Sequence, residues 1–148
     1  MVGAASPMLD VKRLRKVYAD SSRTVEAIRD VSFSVSQGEL VCIVGPSGAG
    51  KTTLLKCIAG LLAPSSGEIV LEGQPVAEPP PAMAVVFQEY GRSLFPWMTV
   101  HDNVALPIKH KKLDASRREE LVRGALAAVD LKGVEGAYPW QLSGGMQQ

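Results

Sequence analysis

The sequence has 148 residues, which is room for one modest domain with its own core. Apolar residues make up 46% and charged residues 21%, as in globular proteins, and no apolar run approaches the roughly 18 residues that span a bilayer. The net charge of +1 gives no reason to expect a nucleic-acid partner. Cys42 and Cys57 have apolar neighbours and are predicted to be buried free thiols, which favours a reducing compartment.

The N-terminal part predicts three strands. Residues 9–18 alternate apolar and basic side chains in part, and residues 24–36 alternate apolar and serine side chains more clearly. Residues 40–44 are an apolar run that reads as a buried strand. Because two amphipathic strands precede a buried one, we expect an antiparallel portion beside a parallel core.

Residues 45–52, GPSGAGKT, fit the spacing G-x-x-x-x-G-K-[ST]. The loop lies between the predicted strand and a helix that ends near Gly60, and this context favours a phosphate-binding loop over the alternative, a flexible Gly/Ser turn. Glycines allow several N–H groups to point at one anion, and the helix aims its positive dipole end at the same place. Lys51 would reach the β- and γ-phosphates, and the Thr52 hydroxyl would ligate Mg²⁺.

Further along, residues 67–72 and 83–87 predict short strands, the second buried and ending at Gln88, with a loop at residues 73–82. Residues 89–99 read as a structured loop, and Thr99 as the N-cap of a short helix. Residues 115–129 predict an amphipathic helix whose apolar face consists of Leu121, Val122, Ala125, Leu126 and Val129.

Three polar features have an ordinary interpretation. The basic run at residues 109–112 could bind lipid or a partner, but a solvated surface is favoured. His101 and His110 stand in polar surroundings and are predicted to be solvated, not catalytic.

Residues 142–146, LSGGM, form a second motif. Alone it is equally consistent with a serine-capped turn. With the phosphate loop upstream, however, the sequence resembles the nucleotide-binding subunit of an ABC transporter. The stretch FQEYGRSLFPWMTVHDNVALP further resembles bacterial importers of the nitrate, sulfonate and taurine type, in which this region forms the groove for the permease.

The resemblance implies an α/β fold: a P-loop NTPase core of the ABC type with an N-terminal antiparallel β portion and the start of an α-helical subdomain. Residues 1–88 would form the β-rich nucleotide-binding portion, and residues 89–148 the helical portion ending at the signature motif. The C-terminal part of the family domain is expected to be absent.

The resemblance also implies ATP and Mg²⁺ as ligands. Tyr18 would stack on adenine, where the alternative is an ordinary aromatic at a strand end. Gln88 would be the catalytic residue that contacts Mg²⁺ and the attacking water, where the alternative is a surface residue. Mg²⁺ would be held by Thr52 and Gln88. The nucleotide-binding residues would be Tyr18, Gly45, Pro46, Ser47, Gly48, Ala49, Gly50, Lys51, Thr52, Thr53, Ser143, Gly144 and Gly145.

The implied partners are a second ATP-binding subunit in a head-to-tail dimer, permease subunits and, indirectly, a substrate-binding protein, with no nucleic acid. The implied location is cytoplasmic, at the inner face of the membrane. The family's catalytic glutamate, its Mg²⁺-associated aspartate and its switch histidine have no counterpart in the sequence, so a polypeptide of these residues is expected not to hydrolyse ATP. A non-catalytic remnant is the alternative function.

Two structural expectations follow. Only five residues come after Ser143, about one helical turn, so the signature site is expected to be unformed. The isolated chain is expected to fold poorly or aggregate through an unpaired sheet edge.

Overall fold

The structure is a computed structural model that describes residues 6–87 and 93–148. It has two compact units, Met1–Val85 and Val86–Gln148, called the N-terminal and the C-terminal unit. The assignment of separate roles to residues 1–88 and 89–148 stays a prediction.

A four-stranded antiparallel sheet organises the N-terminal unit, with the strand order β2-β1-β3-β4. In chain order the strands are β1 Leu9–Ala19, β2 Thr24–Val35, β3 Ser66–Leu71 and β4 Gln74–Pro75. The predicted antiparallel portion is therefore confirmed. Its alternation is confirmed as well, because Val31 and Phe33 pack against the core while Ser32 and Ser34 are exposed.

A bulge in β1 brings Val11 and Leu14 to the same side of the sheet. Residues three apart in a regular strand point to opposite faces, yet both of these are buried. The register shifts between them, and Arg13 has a φ of 45°. Opposite the bulge, a Cβ on Gly67 would lie 2.3 Å from the carbonyl oxygen of Arg13, so glycine is required at this close approach.

Helix α1, Lys51–Ile58, packs on this core. Its buried side chains Leu54, Cys57 and Ile58 join Val11, Leu14, Ile28 and Ile69 in one cluster. The helix ends just before Gly60, as predicted. Cys57 is the buried free thiol that the sequence predicts, and its burial raises the pKa of the thiol.

The two predicted buried strands at residues 40–44 and 83–87 are wrong. Neither run is a strand, and Leu40, Val44 and Val86 are 96%, 84% and 72% exposed. Cys42 is exposed too, contrary to prediction. A strand needs neighbours for its backbone N–H and C=O groups, and within residues 6–87 and 93–148 no strand pairs with either run. All strand pairs in the described part of the chain are antiparallel, so the predicted parallel core is not present there.

Helices make up the C-terminal unit: α2 Val100–Ala105, α3 Ala115–Ala128 and α4 Gly144–Gln147, with 3₁₀ turns at Leu106–Ile108 and Pro139–Gln141. Thr99 caps α2 as predicted, accepting a hydrogen bond from the Asp102 N–H. Val100, Val122, Leu126 and Leu142 form the core. Only Val122 and Leu126 of the predicted apolar face of α3 are buried. Leu121, Ala125 and Val129 are exposed, Val129 to 66% because α3 ends one residue before it, so that part of the prediction is wrong.

Asn103 holds the loop that precedes α2. Its side-chain amide donates to the carbonyls of Phe95, Met98 and Thr99, and its Oδ1 accepts from the Phe95 N–H at 2.8 Å. These bonds explain why the described part of the predicted loop is ordered without regular secondary structure. No helix in the part of the chain that the structure describes is long and apolar enough to cross a membrane.

Candidate functional site

The glycine loop at residues 45–50 runs directly into α1. Gly48 and Gly50 have φ values of 82° and 85°, a conformation that favours glycine. Gly50 is also packed closely against β2, since a Cβ there would lie 2.3 Å from the carbonyl oxygen of Ala27. Gly50 is the N-cap of α1 and makes no side-chain capping bond. The first N–H groups of the helix are thus left without a side-chain acceptor, as an anion site requires.

Lys51 is folded back across the loop. Its Nζ donates hydrogen bonds to the carbonyl oxygens of Gly45 and Pro46, at 2.7 and 2.8 Å. The ammonium is therefore held among the loop carbonyls, and the first turn of α1 contains no acidic residue. A lysine, glycine N–H groups and a helix N-terminus form a donor set that suits phosphate oxygens.

Of the two predicted Mg²⁺ ligands, only Thr52 lies among the described residues. The Thr52 side chain is exposed at the start of α1, where its hydroxyl is available as an oxygen ligand. Gln88, the other predicted ligand and the predicted catalytic residue, lies outside the described residues. Among residues 6–87 and 93–148, no group of three or more His, Cys, Asp or Glu side chains could hold a metal ion.

Tyr18 lies at the end of β1, beside the first turn of α1. Its hydroxyl is 3.4 Å from the Thr53 Oγ1, and the residue is 44% exposed. The fold therefore brings the predicted adenine-stacking residue to the helix that follows the phosphate loop. The stacking itself stays a prediction.

Lys16 is a neighbour of this aromatic that the sequence analysis missed. Its Nζ lies 5.4 Å from the centroid of the Tyr18 ring and donates to the Ala63 carbonyl at 2.7 Å. The spacing of Lys16 and Tyr18 in the sequence could have indicated this contact, because residues i and i+2 of a strand lie on one face.

The signature segment forms one helical turn, so the expectation that it is unformed is wrong. Ser143 is the N-cap of α4, and its Oγ accepts from the Met146 N–H at 3.4 Å. Leu142 is buried in the core of the C-terminal unit, and this anchor stabilises a turn that would be unstable alone. A Cβ on Gly145 would meet no atom within 4 Å, so this side of the turn is open.

His101 is not simply solvated, which corrects its predicted surroundings. Its Nε2 is 2.9 Å from the Glu119 Oε2, and its Nδ1 is 3.4 Å from the Asp102 Oδ1. The hydrogen bond with Glu119 is the main cause that raises the pKa of His101. His101 links α2 to α3, which is a structural role. His110 and the rest of the basic run at residues 109–112 are exposed, as predicted.

Comparison with known proteins agrees with both motifs. The family model described as ABC transporter matches residues 28–148. The nitrate import ATP-binding protein NrtD of Synechococcus elongatus is 46% identical over 124 residues, which are 82% of this chain and 44% of that protein. The taurine import ATP-binding protein TauB of Chromobacterium violaceum is 47% identical over 122 residues, which are 82% of this chain and 46% of that protein.

The aliphatic sulfonates import ATP-binding protein SsuB of Bacillus cereus is 37% identical over 142 residues, covering 95% of this chain and 54% of that protein. Among solved structures, the dimeric ATP-binding cassette MJ0796, in a post-hydrolysis state with ADP and Pi, matches with a TM-score of 0.82 and 28% identity. That match covers 95% of this chain and 65% of the other.

The chain spans about half the length of these curated relatives. The family match nevertheless includes the phosphate loop, α1 and the signature segment, and it extends over most of the sequence. The chain belongs to the ABC transporter family, and the part of the family that it matches is the ATP-binding cassette.

Proposed function

We propose that this chain binds ATP at residues 45–52 and acts as the ATP-binding part of an importer. The observation that carries the proposal is the Lys51 ammonium, held inside a glycine loop at the uncapped start of α1. The ammonium is hydrogen-bonded to the Gly45 and Pro46 carbonyls, next to helix N–H groups that have no side-chain cap, and such a set of donors suits a bound triphosphate.

In this proposal, different residues bind the phosphates, the base and Mg²⁺. Lys51 and the loop N–H groups hold the β- and γ-phosphates, and Tyr18 stacks on the base. Thr52 and Gln88 would hold Mg²⁺, which supplies charge neutralisation at the phosphates when it is bound. Gln88 would also orient the water that attacks the γ-phosphate in line.

The second half of the site comes from another copy of the cassette. Ser143, Gly144 and Gly145 would contact the γ-phosphate bound by the partner's phosphate loop, so two subunits enclose two ATP molecules head to tail. The open side of Gly145 is consistent with a ligand that approaches from outside the unit. The dimeric state of the cassette MJ0796 supports the proposal of a dimer.

The transported class is proposed from the relatives. Their names are those of import proteins for nitrate, taurine and aliphatic sulfonates, which are small oxyanion-containing solutes. We place the chain at the inner face of the membrane, against permease subunits, with a substrate-binding protein on the opposite side.

ATP binding by the 148-residue polypeptide tests the proposal. We expect Lys51→Ala to weaken ATP binding at least about tenfold, since it removes the only cation within the loop motif. Lys56→Ala is the matched control, because Lys56 is an exposed lysine on the same helix. Equal effects of the two changes, or no binding by the unmodified chain, would contradict the proposal.

A non-catalytic nucleotide-binding chain is the second candidate. We expect the polypeptide to bind ATP without releasing phosphate. Mg²⁺-dependent phosphate release that disappears in Lys51→Ala would exclude this candidate.

A further inference from the structure

We propose that Lys16 positions the Tyr18 ring for a purine base and thereby sets the preference for a nucleotide over phosphate alone. This inference rests on the proposed function, because it requires ATP to bind at the phosphate loop. Lys16 would act through Tyr18 and is therefore a positioning residue.

The ammonium of Lys16 is fixed in place above an aromatic ring. Its Nζ donates to the Ala63 carbonyl at 2.7 Å and lies 5.4 Å from the centroid of Tyr18. A cation within about 6 Å of a ring centroid is attracted by the negative face of the ring. Because the carbonyl restrains the ammonium, the attraction acts on the ring and limits its rotation.

The hydroxyl end of the Tyr18 ring has a contact as well. The Tyr18 hydroxyl lies 3.4 Å from the Thr53 Oγ1, yet the residue keeps 44% of its surface exposed. A ring that is held at one face and at its hydroxyl, but remains open to solvent, can receive a flat ligand. Stacking on a restrained ring costs less conformational entropy than stacking on a mobile one.

The end of β1 is bonded to the first turn of α1 and to the segment that follows this helix. The Val17 N–H donates to the Ser65 Oγ at 3.0 Å, and the Ser65 N–H donates to the Arg15 carbonyl at 2.8 Å. Residues 63–65 follow α1, whereas Thr53 lies in its first turn beside the phosphate loop. The ring is therefore positioned by the helix that begins at Lys51, which relates the place of the base to the place of the phosphates.

The alternative is that Lys16 has no effect on Tyr18 and only attaches β1 to the Ala63 carbonyl. The variant Lys16→Gln separates the two roles, since an amide can still donate to the carbonyl but carries no charge. Lys16→Arg keeps both a cation and a donor, so it should restore the behaviour of the unmodified chain.

Calorimetric titration of the 148-residue chain with ATP and with inorganic tripolyphosphate tests the proposal. We expect Lys16→Gln to weaken ATP binding about twofold to fivefold and to leave tripolyphosphate binding unchanged, with Lys16→Arg close to the unmodified chain. In a Tyr18→Leu background, Lys16→Gln should have no further effect on ATP.

Equal loss for both ligands, unchanged ATP affinity, an unfolded Lys16→Gln chain or the same loss in the Tyr18→Leu background would each overturn the inference. A failure of the unmodified chain to bind ATP is a different result. It would overturn the proposed function, and this inference with it.

Discussion

The two glycine-containing motifs of this chain begin helices in different ways. At the phosphate loop, Gly50 leaves α1 without a side-chain cap, and Lys51 crosses back to the loop carbonyls. At the signature segment, Ser143 caps α4 with its own hydroxyl. Three buried side chains anchor α1, whereas the turn of α4 is anchored through the buried Leu142 beside it.

The two motifs therefore owe their conformations to different interactions. The phosphate loop is shaped by tertiary packing, because Gly50 fits against the backbone of β2. The signature segment is shaped by a local cap and one apolar anchor. A substitution that disturbs one motif should therefore leave the other motif intact.

Removing the anchor of the signature segment should have the largest effect. Leu142→Ala creates a cavity in the core of the C-terminal unit and should lower its free energy of unfolding by about 3 kcal/mol. Both tryptophans, Trp97 and Trp140, belong to this unit, so tryptophan fluorescence during urea unfolding measures its stability.

Leu121→Ala is the control, because Leu121 is 37% exposed on α3 and should cost clearly less. ATP binding at the phosphate loop should be the same in both variants. A loss of ATP binding in Leu142→Ala alone would show that the two motifs are not independent.

The packing of the phosphate loop predicts a difference between two glycines. Gly48 and Gly50 share a positive φ, but a Cβ on Gly48 meets nothing within 4 Å while one on Gly50 meets the Ala27 backbone. Gly48→Ala should lower the free energy of unfolding by about 1 kcal/mol, and Gly50→Ala by about 2–3 kcal/mol. Circular dichroism during urea unfolding measures both, and equal costs would show that the close approach of Gly50 is unimportant.

The smallest predicted effect is a pH dependence confined to the C-terminal unit. The pKa of His101 is raised from its ordinary value of 6.5, first by the hydrogen bond with Glu119 and further by Asp102. A raised pKa in the folded state stabilises the fold fully below about pH 6.5, and this contribution is lost as pH rises through the raised pKa. The unit should therefore be more stable at pH 6 than at pH 8.

The surrounding charges do not reverse this sign. The pKa values of Glu119 and Asp102 are lowered, so their contributions are present above their ordinary values of 4.5 and 3.8 and stay constant from pH 6 to 8. Arg123 also binds Glu119, with its Nε 2.9 Å from the Glu119 Oε1. In His101→Gln the difference in the urea midpoint between pH 6 and pH 8 should become smaller. An unchanged difference would show that other groups cause the pH dependence.

The two cysteines show how far local sequence predicts burial. Both have apolar neighbours, and both are predicted to be buried. Cys57 is 1% exposed because the face of α1 that carries it packs on the sheet, whereas Cys42 is exposed in a run that no described strand pairs with. Local hydrophobicity indicates a tendency to be buried, but it does not supply the surface against which a residue is buried.

Short-range patterns in the sequence are enough to predict the antiparallel strands, α1, the cap at Thr99 and the spacing of both motifs. These features depend on residues close together in the chain: alternation, helical spacing, capping side chains and glycine positions. Three outcomes became clear only from the tertiary structure: residues 40–44 and 83–87 have no strand partner among the described residues, a bulge turns Val11 and Leu14 to one face, and Lys16, Tyr18 and Thr53 lie close together. Those outcomes depend on backbone hydrogen bonds and contacts between distant residues, and the periodicity of one segment carries no information about its neighbours.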